Sequence, residues 1–154
     1  METEVTIRQA TLADLAAVLR VQQASPGAAA WSHADYESFL ANSDAIFLVA
    51  GAPAVVGFLT ARVVSDELEI LNLAVEPAQR GRGIAARLLG QTLAEARARN
   101  VRSAWLEVRA SNQRARAFYR SFGFQEVLHR PRYYHNPEED AVVCRRLLQP
   151  HPTP

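Results

Sequence analysis

The sequence predicts a mixed α/β fold, an α+β domain in which helices cover both faces of a mostly antiparallel sheet. Two observations indicate this class. Short connections join three consecutive strand-like segments over residues 45–75, which is typical of antiparallel hairpins. A long helical pattern over residues 83–99 then separates them from the next strand and predicts a crossover. A meander combined with a crossover places helices on both faces of one mixed sheet.

The predicted order of elements is β-α-α-β-β-β-α-β-α-β-β. The segment Val5-Thr6-Ile7-Arg8 alternates and predicts a short strand. Thr11 begins the first helix, with Asp14 as its capping-box partner. The apolar stripe of this helix comprises Leu12, Leu15, Val18 and Leu19. Ser32 caps a second helix, with Asp35 at the third position.

Three apolar segments, 45–50, 55–64 and 67–75, predict the strands of the meander. The turns between them are Gly51-Ala52-Pro53 and Ser65-Asp66. The connections are too short for crossovers, so neighbouring strands in this part of the chain should run antiparallel.

The second half of the chain begins with a helix over residues 83–99. Its apolar residues recur at helical spacing: Ile84, Leu88, Leu89, Leu93 and Ala96. A strand over 101–108 follows. Asn112 or Ser111 caps the next helix, and Gly123 ends it.

A hairpin of strands 124–134 and 141–148, around a turn at 135–140, completes the predicted domain. We expect one domain over residues 1–148 and a disordered, proline-rich tail over 149–154.

Composition excludes several function classes. The chain has 154 residues and a net charge of +1 from 17 basic and 16 acidic residues, which gives no reason to expect a nucleic-acid partner. The single cysteine, Cys144, excludes an intramolecular disulfide framework and is expected to be a buried hydrophobe. The four histidines have no metal-ligand spacing, so no metal is expected.

The sequence predicts a cytosolic location. No apolar run approaches the roughly 20 residues of a membrane span, and the acidic N-terminus does not resemble a signal peptide.

The segment Arg80-Gly81-Arg82-Gly83-Ile84-Ala85 lies between a strand and the start of a long helix. Free N–H groups and the positive end of the helix dipole at such a place bind anions. Small residues let a ligand approach the backbone closely, so the segment predicts a pyrophosphate site. The alternative is a surface loop that only begins the helix.

Two other phosphate motifs fit less well. A Walker loop requires Gly-Lys-Ser/Thr, which the sequence lacks. The residues Gly81-x-Gly83-x-x-Ala86 satisfy the dinucleotide fingerprint, but the segment 76–80 separates Val75 from the first glycine, whereas the dinucleotide turn is tighter. An NAD-dependent enzyme is therefore a minor alternative.

Two motifs resemble the signatures of the GCN5-related N-acetyltransferase (GNAT) family. Arg80, Gly83 and Ala85 meet the pattern Arg/Gln-x-x-Gly-x-Gly/Ala, directly after the apolar strand segment 71–77. A second motif follows in the expected order, formed by Asn112, Ala115, Tyr119, Gly123 and Phe124. The resemblance extends over residues 5–148 and implies an acyl-CoA N-acyltransferase fold.

Within this family, the segments 105–112, 132–134, 139–141 and Trp31-Ser32 are similar to a bacterial subgroup that acetylates the N-terminal alanine of a ribosomal small-subunit protein. The subgroup usually has a proline where this chain has Ala30. The resemblance implies a protein N-terminus as the acceptor. A small-molecule amine, a protein lysine, or a non-catalytic role as an acetyl-CoA sensor are the alternatives.

The resemblance also implies acetyl-CoA as co-substrate. In the family, the fourth strand is splayed from the fifth, so that its N–H groups can bind the pantetheine arm, and the glycine loop binds the pyrophosphate. The implied donor-binding residues are Leu73, Ala74, Val75, Arg80, Gly81, Arg82, Gly83, Ile84, Ala85 and Asn112.

Glu107 is the candidate general base. Alternation in the strand 101–108 places it on the same face as Trp105, and a carboxylate in a central strand is unusual because burial is costly. The alternatives are a solvated glutamate or one paired with Arg109. Glu69, on the preceding strand, is a rival base, although a solvated strand residue is the favoured interpretation there. In the subgroup that the chain resembles, the position of Glu107 is the base.

Tyr119 is the candidate acid, since a phenol can protonate a leaving thiolate. It shares an apolar stripe with Phe118 and Phe122, so a core tyrosine is the alternative. The candidate acceptor contacts are Trp31, Tyr133, Tyr134 and Asp140. For the acidic segment 138–140, a solvated hairpin turn fits almost equally well. We expect direct transfer in a ternary complex.

Overall fold

The computed structural model of the protein describes residues 4–25, 27–51 and 53–149. Its elements follow the predicted order, and the bounds of the strands differ from the prediction by no more than one or two residues. The elements are β1 (Thr6–Gln9), α1 (Leu15–Gln23), α2 (His33–Leu40), β2 (Ala45–Gly51), β3 (Val55–Val64), β4 (Glu67–Val75), α3 (Ile84–Ala98), β5 (Ser103–Arg109), α4 (Gln113–Ser121), β6 (Gln125–Tyr134) and β7 (Glu139–Leu147). The predicted tail lies outside the described residues from position 150 onward.

These seven strands form one sheet in the order β1-β2-β3-β4-β5-β7-β6. Within it, β4 and β5 run parallel, and the other neighbouring pairs are antiparallel. The helix α3 connects the two parallel strands, as a crossover requires. The prediction of a mixed, mostly antiparallel sheet is therefore confirmed.

Helices cover both faces of this sheet. On one face, α1 and α2 contribute to a cluster that includes the fully buried Leu15 and Phe58. On the other face, α3 contributes residues such as Leu88 to a second cluster that also contains Leu106 of β5, and the apolar side of α4 covers this cluster. Cys144 belongs to this second cluster and is 2% exposed, which confirms that it is a buried hydrophobe.

The predicted capping box of Thr11 and Asp14 is confirmed, but it begins a 3-10 turn and not the α-helix. Leu12–Asp14 form a short 3-10 turn, and the α-helix begins only at Leu15. Leu12 was expected to face the core but is 62% exposed, because the tighter turn rotates its side chain off the helical stripe. Asp14 fixes this turn, since its carboxylate accepts hydrogen bonds from the Arg8 guanidinium at 2.7 and 2.8 Å and from the Thr11 N–H at 2.8 Å.

The predicted caps of the next helices are confirmed. The Ser32 hydroxyl accepts from the N–H of Asp35 at 3.1 Å, and the Asp35 carboxylate accepts from the N–H of Ser32 at 2.8 Å. The Asn112 side chain accepts from the N–H of Ala115 at 3.0 Å. After α4, Gly123 has a φ of +83°, the conformation in which glycine commonly ends a helix.

Candidate active site

A cleft opens where β4 and β5 separate. The two strands pair only over Glu67–Glu69 and Ser103–Trp105, and beyond this short ladder each strand lines one wall of the cleft. The cleft encloses about 1830 Å³, which exceeds the roughly 300–1,000 Å³ of an ordinary small-molecule site. It can therefore hold an extended co-substrate together with a second substrate. This is the separation of strands that the family resemblance implied.

A β-bulge lies at the point where β4 leaves β5. Thr60 pairs with Asn72 and Ala61 pairs with Ile70, so Leu71 has no partner on β3. A bulge bends its strand and increases the local twist. The part of β4 beyond the bulge turns toward the cleft with one edge unpaired.

The residues predicted to bind the donor lie mostly along one wall of this cleft. They are Leu73, Ala74, Val75, Arg80, Gly81, Gly83, Ile84 and Ala85. Gly81 and Gly83 have φ values of +84° and +74°, a conformation that strains other residue types. Gly83 is the N-cap of α3, so the unpaired N–H groups of the first helical turn are available to an anion at this place.

Two predicted donor-binding residues have partners within the protein. The Arg82 guanidinium donates to the Gln79 side chain at 2.5 Å, and Arg82 is not among the residues that line the cleft. Asn112 does line the cleft while its side-chain oxygen caps α4. Its amide nitrogen has no hydrogen bond to the described residues, which leaves that donor available to a ligand.

Glu107 lies on β5 in the wall opposite the donor-binding residues, with its side chain 27% exposed. Its carboxylate is 3.5 Å from the Arg130 guanidinium nitrogen. The Glu107 carboxylate also raises the pKa of the Tyr133 hydroxyl, chiefly by accepting its hydrogen bond. The predicted alternative of a pair with Arg109 does not occur, since that guanidinium instead lies 4.4 Å above the ring of Tyr134.

The rival base, Glu69, has a different environment. Its side chain is 45% exposed and accepts two hydrogen bonds from Arg62, at 2.9 and 3.0 Å. It lines the cleft at the point where β4 and β5 begin to separate, in the last pair of the ladder between them. This agrees with the interpretation of Glu69 as a solvated strand residue.

Tyr119 has features of both alternatives that the sequence allowed, a core tyrosine and a residue of the active site. Its ring packs against Phe118 and Phe124, with centroid distances of 5.2 and 5.7 Å, as in a core tyrosine. The residue also lines the cleft, and its hydroxyl makes no hydrogen bond within the described part of the chain. Burial raises the pKa of Tyr119, which keeps the phenol protonated at neutral pH.

The hairpin of β6 and β7 closes the other end of the cleft through Tyr133 and Tyr134. Their rings pack edge to face, with centroids 5.1 Å apart, and burial raises the pKa of Tyr134 to about 12. Residues 27–30, between α1 and α2, also line the cleft. Both segments thus line the same cleft as Glu107.

Two candidate acceptor contacts do not line the cleft. Trp31 packs its ring against Tyr36 and Phe39, at centroid distances of 5.0 and 5.3 Å. Asp140 accepts a hydrogen bond from the N–H of Arg132 at 3.0 Å and so holds the hairpin in shape. Both side chains support segments of the cleft rather than form its surface.

Three arginines of the cleft were not predicted from the sequence. Arg130 contacts Glu107, Arg109 covers Tyr134, and Arg114 lines the cleft at the start of α4. No local pattern distinguishes them from the other arginines of the chain. The contacts of Arg130 with Glu107 and of Arg109 with Tyr134 depend on the register in which β7 joins β5 to β6.

Comparison with known proteins assigns the class. Residues 14–124 match the Acetyltransferase (GNAT) family, and this match covers more than half of the chain. The chain belongs to this family and is an acetyl-CoA-dependent N-acetyltransferase. The family and the acyl-CoA N-acyltransferase fold expected from the two motifs are thereby confirmed.

Three similar proteins illustrate the range of the match. The ribosomal protein bS18-alanine N-acetyltransferase of Escherichia coli strain K12 is 34% identical over 140 residues, which is 90% of this chain and 94% of that protein. The crystal structure of the ribosomal-protein-S18-alanine N-acetyltransferase from Escherichia coli matches with a TM-score of 0.87 and 30% identity, covering 97% of each chain. An uncharacterized protein of Mycobacterium leprae strain TN is 39% identical over 124 residues, and the match spans 34% of its length.

Among the described residues, no group of three or more histidine, cysteine or acidic side chains is arranged to hold a metal ion. No helix in this part of the chain combines the length and the apolar composition that a membrane span requires.

Proposed function

We propose that this chain transfers the acetyl group of acetyl-CoA directly to the N-terminal α-amine of a protein that begins with alanine, such as a ribosomal small-subunit protein. One observation carries the proposal: Glu107 and Tyr119 line the same cleft as the glycine loop of the donor site. The similarity to enzymes that act on such an N-terminus supports the choice of acceptor. The cytosolic location and the lack of a nucleic-acid partner, expected from the sequence, stay predictions.

A single glutamate suits an α-amine as acceptor. The reference pKa of an N-terminal amine is about 7.7–8.0, so its deprotonation costs only about 1 kcal/mol at neutral pH. The same step for a lysine costs about 4–5 kcal/mol. Glu107 accepts the ammonium proton, and the neutral amine can then attack the carbonyl carbon of the thioester.

The chain's own groups bind the donor and complete the reaction. The N–H groups of residues 81–85 bind the diphosphate, and the open edge of Leu73–Val75 pairs with the amides of the pantetheine arm. Asn112 contacts the donor near the end of that arm. The carbon–nitrogen bond forms first, and Tyr119 then gives its proton to the sulfur atom as the carbon–sulfur bond breaks. The second proton that the nitrogen loses as the amide forms returns to the Tyr119 oxygen through solvent, and the proton on Glu107 is released to solvent.

The acceptor enters between the β6–β7 hairpin and residues 27–30. Tyr133 and Tyr134 contact the peptide directly in this proposal. Trp31 and Asp140 contribute by supporting these two segments, in accordance with their positions behind the surface of the cleft.

Thiol release with acetyl-CoA and a peptide beginning Ala-Arg tests the proposal. We expect turnover with this peptide and little with free lysine or an N-terminally blocked peptide. The chain contains no lysine, so acetylation of its own side-chain amines cannot contribute to the signal. Turnover of lysine but not of the peptide would contradict the proposed acceptor, and tight CoA binding without turnover of any amine would indicate a sensor.

Initial-rate patterns test direct transfer. A ternary complex predicts intersecting double-reciprocal lines when both substrates are varied. Parallel lines would contradict direct transfer, because they indicate a covalent acyl-enzyme.

A further inference from the structure

Residues 27–30, between α1 and α2, have no side chain that could fix their position in the wall of the cleft. Five residues between these helices line the cleft: Ser25 and, after it, Gly27, Ala28, Ala29 and Ala30. Ser25 is anchored at the end of α1, where its hydroxyl donates to the carbonyl oxygen of Val21 at 2.8 Å. None of the other four has a polar or bulky side chain that could anchor it. The position of this wall must therefore be set by contacts made at its ends.

Gln22, at the end of α1, makes such a contact. Its side-chain nitrogen donates to the carbonyl oxygen of Trp31 at 2.9 Å, and its side-chain oxygen accepts from the N–H of Trp31 at 3.3 Å. The amide thus pairs with both backbone groups of one residue, as a neighbouring strand would. A glutamate can accept here but cannot donate.

The contact continues into the sheet. The buried Tyr36 hydroxyl donates to the same oxygen of Gln22, and the Asn72 side-chain nitrogen is 3.4 Å from that hydroxyl. Asn72 is 7% exposed and lies beside the bulge of β4, in the wall of the cleft. Burial raises the pKa of Tyr36 to about 12, so its hydroxyl stays protonated. The ring of Trp31 packs on the ring of Tyr36, so Trp31 contacts this group of residues through its side chain as well as its backbone.

We propose that Gln22 is a positioning residue for the acceptor: by binding the backbone of Trp31 it holds residues 27–30 against the sheet and sets the shape of the acceptor entrance. The inference rests on the proposed function for the statement that the acceptor enters beside this segment. The contact itself does not depend on the reaction.

Steady-state kinetics test the effect on the acceptor. Gln22→Met keeps the length of the side chain but removes both hydrogen bonds to Trp31. We expect the KM of the Ala-Arg peptide to rise about tenfold, the order expected for the loss of two neutral hydrogen bonds, while kcat and the Kd of acetyl-CoA stay near their original values. Gln22→Glu, which keeps the accepting oxygen, should restore part of the peptide affinity.

The matched control is Gln23→Met. Gln23 is exposed on the same helix and its side chain makes no hydrogen bond within the described residues. It should leave all constants unchanged. Tyr36→Phe provides a second variant should Gln22→Met fold poorly; it removes only the hydroxyl and should raise the peptide KM in the same direction. An unchanged peptide KM in both Gln22→Met and Tyr36→Phe would overturn the proposal.

Tryptophan fluorescence tests the contact without any activity. The chain has two tryptophans, so Trp105→Phe leaves Trp31 as the only emitter. In this background, Gln22→Met should raise acrylamide quenching of Trp31, whereas Gln23→Met should not. Unchanged quenching would overturn the positioning contact. If quenching rises but no form of the protein acetylates the peptide, the proposed function fails and the contact stands.

Discussion

Replacement of Glu107 by glutamine removes the charge that the proposed mechanism requires and little else. Glutamine keeps the volume of the side chain and an oxygen that can accept the hydrogen bond from Tyr133. Arg130, the charged partner, is 51% exposed and remains solvated when the carboxylate is lost. The fold should therefore survive, and a loss of rate can be attributed to the chemistry.

The size and the pH dependence of the effect follow from the acceptor. Loss of a general base lowers kcat by about 10²-fold or more. With a pKa near 7.9, roughly a tenth of the α-amine is neutral at pH 7 and about nine-tenths at pH 9. The Glu107→Gln variant should thus regain about eightfold in rate between these pH values and then level off. With a lysine acceptor, of pKa about 10.4, the rate would still be rising at pH 9.

Initial rates of thiol release with the Ala-Arg peptide, measured from pH 7 to pH 9, test this prediction. The matched control is Glu69→Gln, which removes an exposed carboxylate paired with Arg62 and should change the rate little. An unchanged rate for Glu107→Gln, or an equal loss for Glu69→Gln, would refute the assignment of the base.

Three further predictions concern the acid, the glycine loop and the first turn. Tyr119→Phe keeps the ring packing and should lower kcat by about 10²-fold with little change in the KM of acetyl-CoA, as steady-state kinetics would show. Gly83→Ala should weaken acetyl-CoA binding in calorimetry and lower the free energy of unfolding by about 1–2 kcal/mol because of its positive φ, whereas the exposed, mid-helical Gly90→Ala should raise it by about 0.5–1 kcal/mol. Hydrogen bonds from Arg8 lower the pKa of Asp14 from 3.8 to about 2, so its ionised form stabilises the fold above pH 4 and this stability is lost as the pH falls toward 2. Asp14→Asn should accordingly cost about 2 kcal/mol at pH 7 in urea denaturation, with the difference vanishing near pH 2.

Features decided by neighbouring residues could be predicted from the sequence. The capping box of Ser32 and Asp35 and the Asn112 cap lie within one helical turn, where local chemistry decides the structure. The glycine loop is local in the same sense, because Gly81 and Gly83 allow the positive φ that the turn requires. The resemblance to the family motifs predicted the donor-binding residues, most of which line one wall of the cleft.

Features that depend on distant pairing could not be predicted. Arg130 meets Glu107 only because β7 joins β5 to β6 in one register, which no short segment specifies. The role of Gln22 depends in the same way on the packing of α1 and α2 against the sheet. Trp31 was predicted as an acceptor contact because its residue type and position match the subgroup, yet its ring packs on Tyr36. The sequence pattern does not distinguish a residue that forms a wall from one that supports it.

A single peptide with two amines tests the central claim most directly. The peptide begins Ala-Arg and carries one internal lysine, and it is incubated with the protein and acetyl-CoA and then sequenced by tandem mass spectrometry. The account predicts one acetyl group on the α-amine of the alanine and none on the lysine. Acetylation of the lysine with a free N-terminus would contradict it.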